Sequence, residues 1–223
     1  LCNGKPIIIE TKFENGFKVK PEDLEKSITN KTKWVIINSP GNPTGSVYSD
    51  DELRQLADVI RKYKGVCILS DDIYEHILYK NTKFTNILNT SADLFDRTFI
   101  VNGVSKVFSM TGWRIGYGAG HEELIKSISK IQSQCTTNPC SISQMAAMFA
   151  LENKKTFLND WLVKFEDRKN FLVDFFSSIN GFKPFIPQGA FYLFVSCDGF
   201  IGKKYNDDKL ISNDLDFSEF LLN

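Results

Sequence analysis

The chain has little of what several kinds of function require. It holds two histidines, His76 and His121, so a histidine-based metal site is excluded in practice. Its five cysteines (Cys2, Cys67, Cys135, Cys140, Cys197) are odd in number and contain no Cys-x-x-Cys pair. That argues against a disulfide framework and for reduced thiols in a cytoplasmic protein. Lys+Arg and Asp+Glu stand at 27 each, so no excess charge calls for a nucleic acid or an anionic membrane as partner. Apolar runs such as Ile7–Ile9 and Trp34–Ile37 are far too short to span a bilayer. Repeats, low-complexity tracts and flexible linkers are absent too. No signal peptide is visible, but the chain starts at Leu1 rather than Met, and that says nothing of the native start.

What remains is a globular chain of 223 residues, 42% apolar and 24% charged, long enough to bury a sizeable core. Pro21 opens a short helix with Leu24 and Ile28 on one face. The apolar strand at 34–38 ends in the turn-rich Ser39-Pro40-Gly41-Asn42-Pro43-Thr44-Gly45. Ser49 and Glu52 fit a capping box ahead of a helical stripe made by Leu53, Leu56, Ala57 and Ile60. Further strands are predicted over 66–70, 98–102 and 114–119, and helices over 122–133 and 141–152. Unalternated apolar strands separated by helices indicate an α/β fold, a mainly parallel sheet with helices on both faces. From Lys154 a long helical pattern runs to Asn180-Gly181. Beyond it, 182–185 and 190–196 read as strands of a smaller antiparallel unit, and 216–222 as a helix. The expected division is residues 1–153 as most of a large domain, 154–180 as a connecting helix and 181–223 as the start of a small α+β domain.

Ligands in open α/β sheets bind beyond the carboxyl ends of the strands. Three polar features fall at such ends: Asn42, Asp71 and Lys106. Each has a bland reading. Asn42-Pro43-Thr44-Gly45 is also an ordinary turn, Asp71-Asp72 an ordinary helix N-terminus, and Lys106 one solvated lysine among many. Arg114 fits a strand-edge charge equally well. The functional reading is an amine that bonds a phosphorylated aldehyde, with an arginine suited to phosphate eight residues later.

Four ordered segments carry a resemblance. Asn-Ser-Pro-Gly-Asn-Pro-Thr-Gly (38–45), Ser-Asp-Asp-Ile-Tyr-Glu-His (70–76), Asn-Gly-Val-Ser-Lys (102–106) and Met-Thr-Gly-Trp-Arg-Ile-Gly-Tyr (110–117) resemble the class I/II aminotransferases of fold type I. Pro-Gln-Gly-Ala-Phe-Tyr (187–192) and Ser-Cys-Asp-Gly-Phe-Ile-Gly-Lys (196–203) point to the bacterial aspartate and prephenate branch. The resemblance implies pyridoxal phosphate as cofactor, an amino acid and a 2-oxo acid as substrates, and a homodimer. Lys106 would bond the cofactor aldehyde and shuttle the Cα proton, and Asp71 would keep the pyridine nitrogen protonated. Tyr74 and Asn42 would bind the phenolic oxygen, Asn42 would also reach the substrate carboxylate, and Arg114 would pair with the phosphate. Ser105 would add a phosphate hydrogen bond, although a plain turn hydroxyl reads as well. Thr137 and Asn138 match a loop at the dimer interface of relatives. Some relatives carry a phosphate-binding serine three residues before the lysine, where this chain has Gly103.

The same resemblance implies that a phosphate-cradling loop and a ring-stacking aromatic lie before Leu1, and a carboxylate-clamping arginine beyond Asn223. The 223 residues are then expected to bind the cofactor weakly and turn over poorly by themselves. The Asn42–Pro43 bond is expected to be cis. Three other readings stay open at this point: a lyase or different aminotransferase on the same scaffold, a non-catalytic effector domain, and a structural fragment.

Overall fold

The computed structural model describes residues 3–153, 158–205 and 209–222. Its centre is a four-stranded sheet in the order β1 (Trp34–Asn38), β2 (Cys67–Asp71), β3 (Thr98–Gly103), β4 (Gly116–Gly120). The first three strands run parallel, with Asn38 opposite Asp71 and Asp71 opposite Val101. β4 runs antiparallel to β3, and Gly103 faces Gly116. This reversal has a functional consequence: the N-terminal end of β4 meets the C-terminal ends of the other three at one rim. Helix α1 (Pro21–Ser27) precedes β1, and α2 (Asp50–Arg61) links β1 to β2.

Helix α2 forms because its stripe and its cap agree. Ser49 Oγ accepts from Glu52 N at 3.3 Å, and Glu52 Oε2 accepts from Ser49 N at 2.7 Å, so the expected capping box is present. Leu53, Leu56, Ala57 and Ile60 are all buried, packed with Ile37 and Ile68 of the sheet and with Ile87 and Leu94. Each such leucine or isoleucine contributes about 1.5–3 kcal/mol of apolar burial. Arg97 closes the far end of α2 by donating to the carbonyls of Ile60, Tyr63 and Val66. The short helix α3 (Ile87–Thr90) is capped by Asn86, which accepts from Leu88 N and Asn89 N. On the other face of β1, Trp34 and Ile36 remain 41% and 70% exposed, so the helical cover of that strand is one-sided.

Helices α4 (Glu122–Cys135) and α5 (Ser141–Glu152) flank the loop that carries Thr137 and Asn138. Helix α6 is Leu158–Ser177; the expected start at residue 154 lies outside the described residues. Its Leu162 and Phe165 pack against Tyr74, Ile77 and Ala190, and its Leu158 against the cluster under Lys106. Strands β5 (Lys183–Pro184) and β6 (Val195–Ser196) pair antiparallel as expected. They are much shorter than read from sequence. Ala190 sits at φ +58° with its N–H given to Ile77 O at 2.8 Å, which takes the 190–194 stretch out of any regular ladder. A second small ladder, β7 (Lys204–Tyr205) with β8 (Lys209–Leu210), was not anticipated, and α7 (Asp214–Leu222) closes the order. Among the described residues no helix is long and apolar enough to cross a membrane.

Candidate active site

The rim begins where β1 ends. Asn38, its last residue, works as a staple: Nδ2 donates to Asp71 O at 3.1 Å, while Oδ1 accepts from Asn42 N at 2.8 Å. The following loop is thereby pinned over the end of β2. Within it the Ser39–Pro40 and Asn42–Pro43 bonds are both cis; the second was expected and the first was not. Gly41 N bonds Ser46 O at 2.9 Å and Gly45 N bonds Gly41 O at 2.8 Å. Gly45 stands at φ +70°, where an added Cβ would lie 2.4 Å from Pro187 Cβ and 2.6 Å from Gly189 O. Only glycine satisfies both that backbone angle and that approach.

Asp71 ends β2 and Asp72 follows it, and burial and partners separate their tasks. Asp72 is 2% exposed and bound by Ser70 Oγ at 2.7 Å and Asn86 Nδ2 at 2.9 Å. Burial pushes its carboxyl above the usual range against those two bonds. Asp71 is only half-buried, and Ile73 N reaches its Oδ1 at 3.2 Å. Among the described residues its Oδ2 has no hydrogen-bond partner. One aspartate is thus structural, and the other faces the rim with an oxygen to spare.

Tyr74 is 2% exposed, yet its hydroxyl is engaged at the rim, 2.6 Å from the hydroxyl of Tyr192. Asn42 Nδ2 reaches the same Tyr192 oxygen at 3.3 Å. Burial raises the Tyr74 phenol well above its ordinary value, Tyr192 and the Asp71 charge add to that, and Asn42 opposes it. In the sequence Tyr192 stands out only as the last residue of the Pro-Gln-Gly-Ala-Phe-Tyr segment. Its place becomes visible through a contact spanning 118 residues, which no local pattern encodes.

Lys106 stands on the turn after β3. Val104, Val107 and Phe108 beside it are buried with Ile115 and with Ala147 of α5, so the turn is anchored from below. The Lys106 side chain is half-buried and makes no hydrogen bond or ion pair among the described residues. The Ser105 hydroxyl is likewise unengaged among them. Arg114, expected on a strand, instead sits at φ +55° two residues ahead of β4 and is exposed. Its Nη1 donates to Thr111 O at 2.9 Å, leaving the rest of the fork for another acceptor. Val104 N bonding Ile115 O at 3.4 Å brings this segment alongside the Lys106 turn. Gly103 has an explanation as well: a Cβ there would meet Ile115 O at 3.0 Å and Gly116 Cα at 3.3 Å, which crowds out a serine.

Contacts therefore join Asn42, Asp71 and Tyr74 into one group, and strand register sets Lys106, Ser105 and Arg114 at the same rim. No hydrogen bond links the two halves among the described residues. Taken together the rim offers a free amine, a carboxylate, two hydrogen-bonding groups and a guanidinium.

The chain can be set beside known proteins. It is 48% identical over its full length to a probable aspartate/prephenate aminotransferase of Rickettsia felis, of which it covers 54%. It is 42% identical to an aspartate aminotransferase of Rhizobium meliloti, again covering 54%. The crystal structure of the aspartate aminotransferase from Rhizobium meliloti superposes with a TM-score of 0.96 over 99% of this chain and 55% of that one. The Thermus thermophilus aspartate aminotransferase with maleate gives 0.78 at 37% identity, over 85% of this chain and 49% of that one. The chain spans about half the length of these relatives. With the model for aminotransferase class I and II matching residues 1–223, and with this rim in place, the chain belongs to that family.

Proposed function

We propose that the protein moves an amino group from aspartate or glutamate to a 2-oxo acid, in a ping-pong cycle that uses pyridoxal phosphate. The observation that carries this reading is the chemistry of the rim. A free amine suits an aldehyde, Asp71 has an oxygen left for a protonated ring nitrogen, and the Arg114 fork suits a phosphate. Those groups fit pyridoxal phosphate and would fit few other small molecules together. The relatives' names, aspartate and aspartate/prephenate aminotransferase, speak for the donor class.

When bound, that cofactor supplies an aldehyde carbon and an electron-accepting ring. The chain supplies the rest. Lys106, whose amine makes no hydrogen bond or ion pair among the described residues, would hold the aldehyde and would then move the proton at the substrate Cα. Asp71 keeps the pyridine nitrogen protonated, a fixed anion making the loss of that proton unfavourable. Tyr74 and Asn42 donate to the phenolic oxygen, and Asn42 also orients the substrate α-carboxylate. Arg114 pairs with the phosphate, and Ser105 adds a hydroxyl.

Residues 1–153 form most of the cofactor lobe, 154–180 the connection and 181–223 the beginning of the second lobe. The working protein is a cytoplasmic homodimer, with Thr137 and Asn138 at the contact between subunits. The 223 residues alone bind the cofactor weakly. Borohydride reduction of the full-length protein with pyridoxal phosphate, followed by peptide mass mapping, tests the central claim. A pyridoxyl group on Lys106 is expected; label confined to other lysines, or none, overturns it.

A further inference from the structure

Tyr192 has no role in the proposed chemistry, yet it is held with more care than any ordinary surface tyrosine. The segment leading to it is clasped onto the rim from several sides. Gly45 O accepts from both Gln188 N at 2.8 Å and Gly189 N at 2.9 Å. Gln188 Oε1 accepts from Val47 N at 3.2 Å, and Tyr79 Oη donates to Ala190 O at 2.8 Å. Tyr79 N bonds Gln188 O at 3.0 Å, and Leu78 bridges Gly189. Gly189 has no room for a side chain, since a Cβ would come within 2.8 Å of Ile77 O and 2.9 Å of Pro40. Ala190, wholly buried at φ +58°, then turns the chain so that residue 192 points back at Tyr74. The Tyr192 ring meets that of Tyr74 edge to face at 5.7 Å.

The hydroxyl at the end of this cradle lies between Asn42 Nδ2 at 3.3 Å and Tyr74 Oη at 2.6 Å. An amide nitrogen can only donate, so the Tyr192 oxygen accepts from Asn42. A phenol has one proton, and the near acceptor for it is Tyr74 Oη. Two phenols this close share one proton between them, which frees the other.

We propose that Tyr192 is a positioning residue for Tyr74: it takes the Asn42 amide proton as acceptor, gives its own proton to Tyr74 Oη, and so leaves the Tyr74 proton aimed at a ligand's phenolic oxygen. The proposal rests on the pyridoxal phosphate reading of the rim and adds to it a third side chain, brought from the segment that follows α6. Aligned donors polarise one another, so Tyr74 donates more strongly than it would alone. With pyridoxal phosphate held, a stronger donor at its phenolic oxygen would draw charge away from the Lys106 nitrogen. That nitrogen would then lose its proton at lower pH.

The test uses the full-length protein loaded with pyridoxal phosphate, and it reads the pH midpoint of the visible absorption band rather than turnover. Tyr192→Phe removes one oxygen and keeps the ring contacts. It is expected to raise the midpoint by about half a pH unit or more, the size of one hydrogen bond. In a Tyr74→Phe background the same substitution is expected to move nothing further, because its effect passes through Tyr74. Placing 4-aminophenylalanine at position 192 restores a donor and is expected to return the midpoint towards that of the unaltered protein. An unchanged or lowered midpoint in Tyr192→Phe, or an equal shift with and without Tyr74, overturns the proposal. If instead the unaltered protein shows no band that Lys106→Ala abolishes, the cofactor reading itself has failed, which is a different result. Thermal midpoints measured alongside separate a loosened fold from a redirected proton.

Discussion

Single atoms decide how the rim is built. Gly45→Ala would force a Cβ into Pro187 and Gly189 at a left-handed backbone angle. A loss of about 2–4 kcal/mol of stability is expected from combined overpacking and strain. Urea unfolding of the full-length protein measures it, and a change under half a kilocalorie would contradict the packing described. Arg114→Lys replaces a fork by a point charge, and cofactor affinity in absorbance titrations is expected to fall about tenfold or more. How far such residues were legible differs by residue. Asn42, Tyr74 and Lys106 each lie a few residues past a strand and Asp71 ends one, so the order of the chain marks all four as rim candidates. Choosing Asp71 over Asp72 followed from the resemblance, and the burial of Asp72 against Ser70 and Asn86 supplies the physical reason. Asn38 and Tyr192 escaped because each acts through a contact across the fold: 33 residues from Asn38 to Asp71, and 150 from Asn42 to Tyr192.

Among the elements, α2 shows what local pattern reads well. Stripe and cap are both short-range, and both were visible. Ser49→Ala is expected to cost about 1 kcal/mol, by loss of the cap. Glu52 adds a pH dependence. Burial alone would raise its carboxyl, but Lys18 at 2.8 Å and the Ser49 N–H and hydroxyl hold it below the usual glutamate value. A group depressed in the folded state contributes stability above its unfolded value, and that contribution is lost as the pH falls through the folded one. Thermal melts should therefore show a loss on acidification below about pH 4.5 that Glu52→Gln lacks. Lys18 and Glu52 are partly exposed, so the effect is modest and weakens with salt. The antiparallel sense of β4 was not legible, since strand direction depends on the connection's path rather than on the strand's residues. The brevity of β5 and β6 had a similar cause: the 187–192 segment is held by Gly45, Ile77 and Tyr79 instead of by a neighbouring strand.

At the scale of the molecule, surface is the telling quantity. The chain exposes 14523 Å², against about 10,300 Å² for a compact monomer of its 25.4 kDa. Much of the excess is apolar: Ile131 on α4, Ile142, Met145 and Phe149 on α5, and Phe171 on α6 are all more than 60% exposed. These faces agree with a chain that spans about half of its relatives. A hydrophobic dye such as anilinonaphthalene sulfonate is expected to bind the isolated 223 residues far more strongly than the full-length protein. Equal fluorescence from both would show that these faces stay uncovered. The two hydrogen bonds that Gly45 O accepts carry a mechanical consequence. They bolt residues 188 and 189 to the loop that follows β1, so bending the chain at that point would first have to break both bonds. Bending costs less to either side of that bolt, and Tyr192 is tied to the same loop through Asn42 Nδ2.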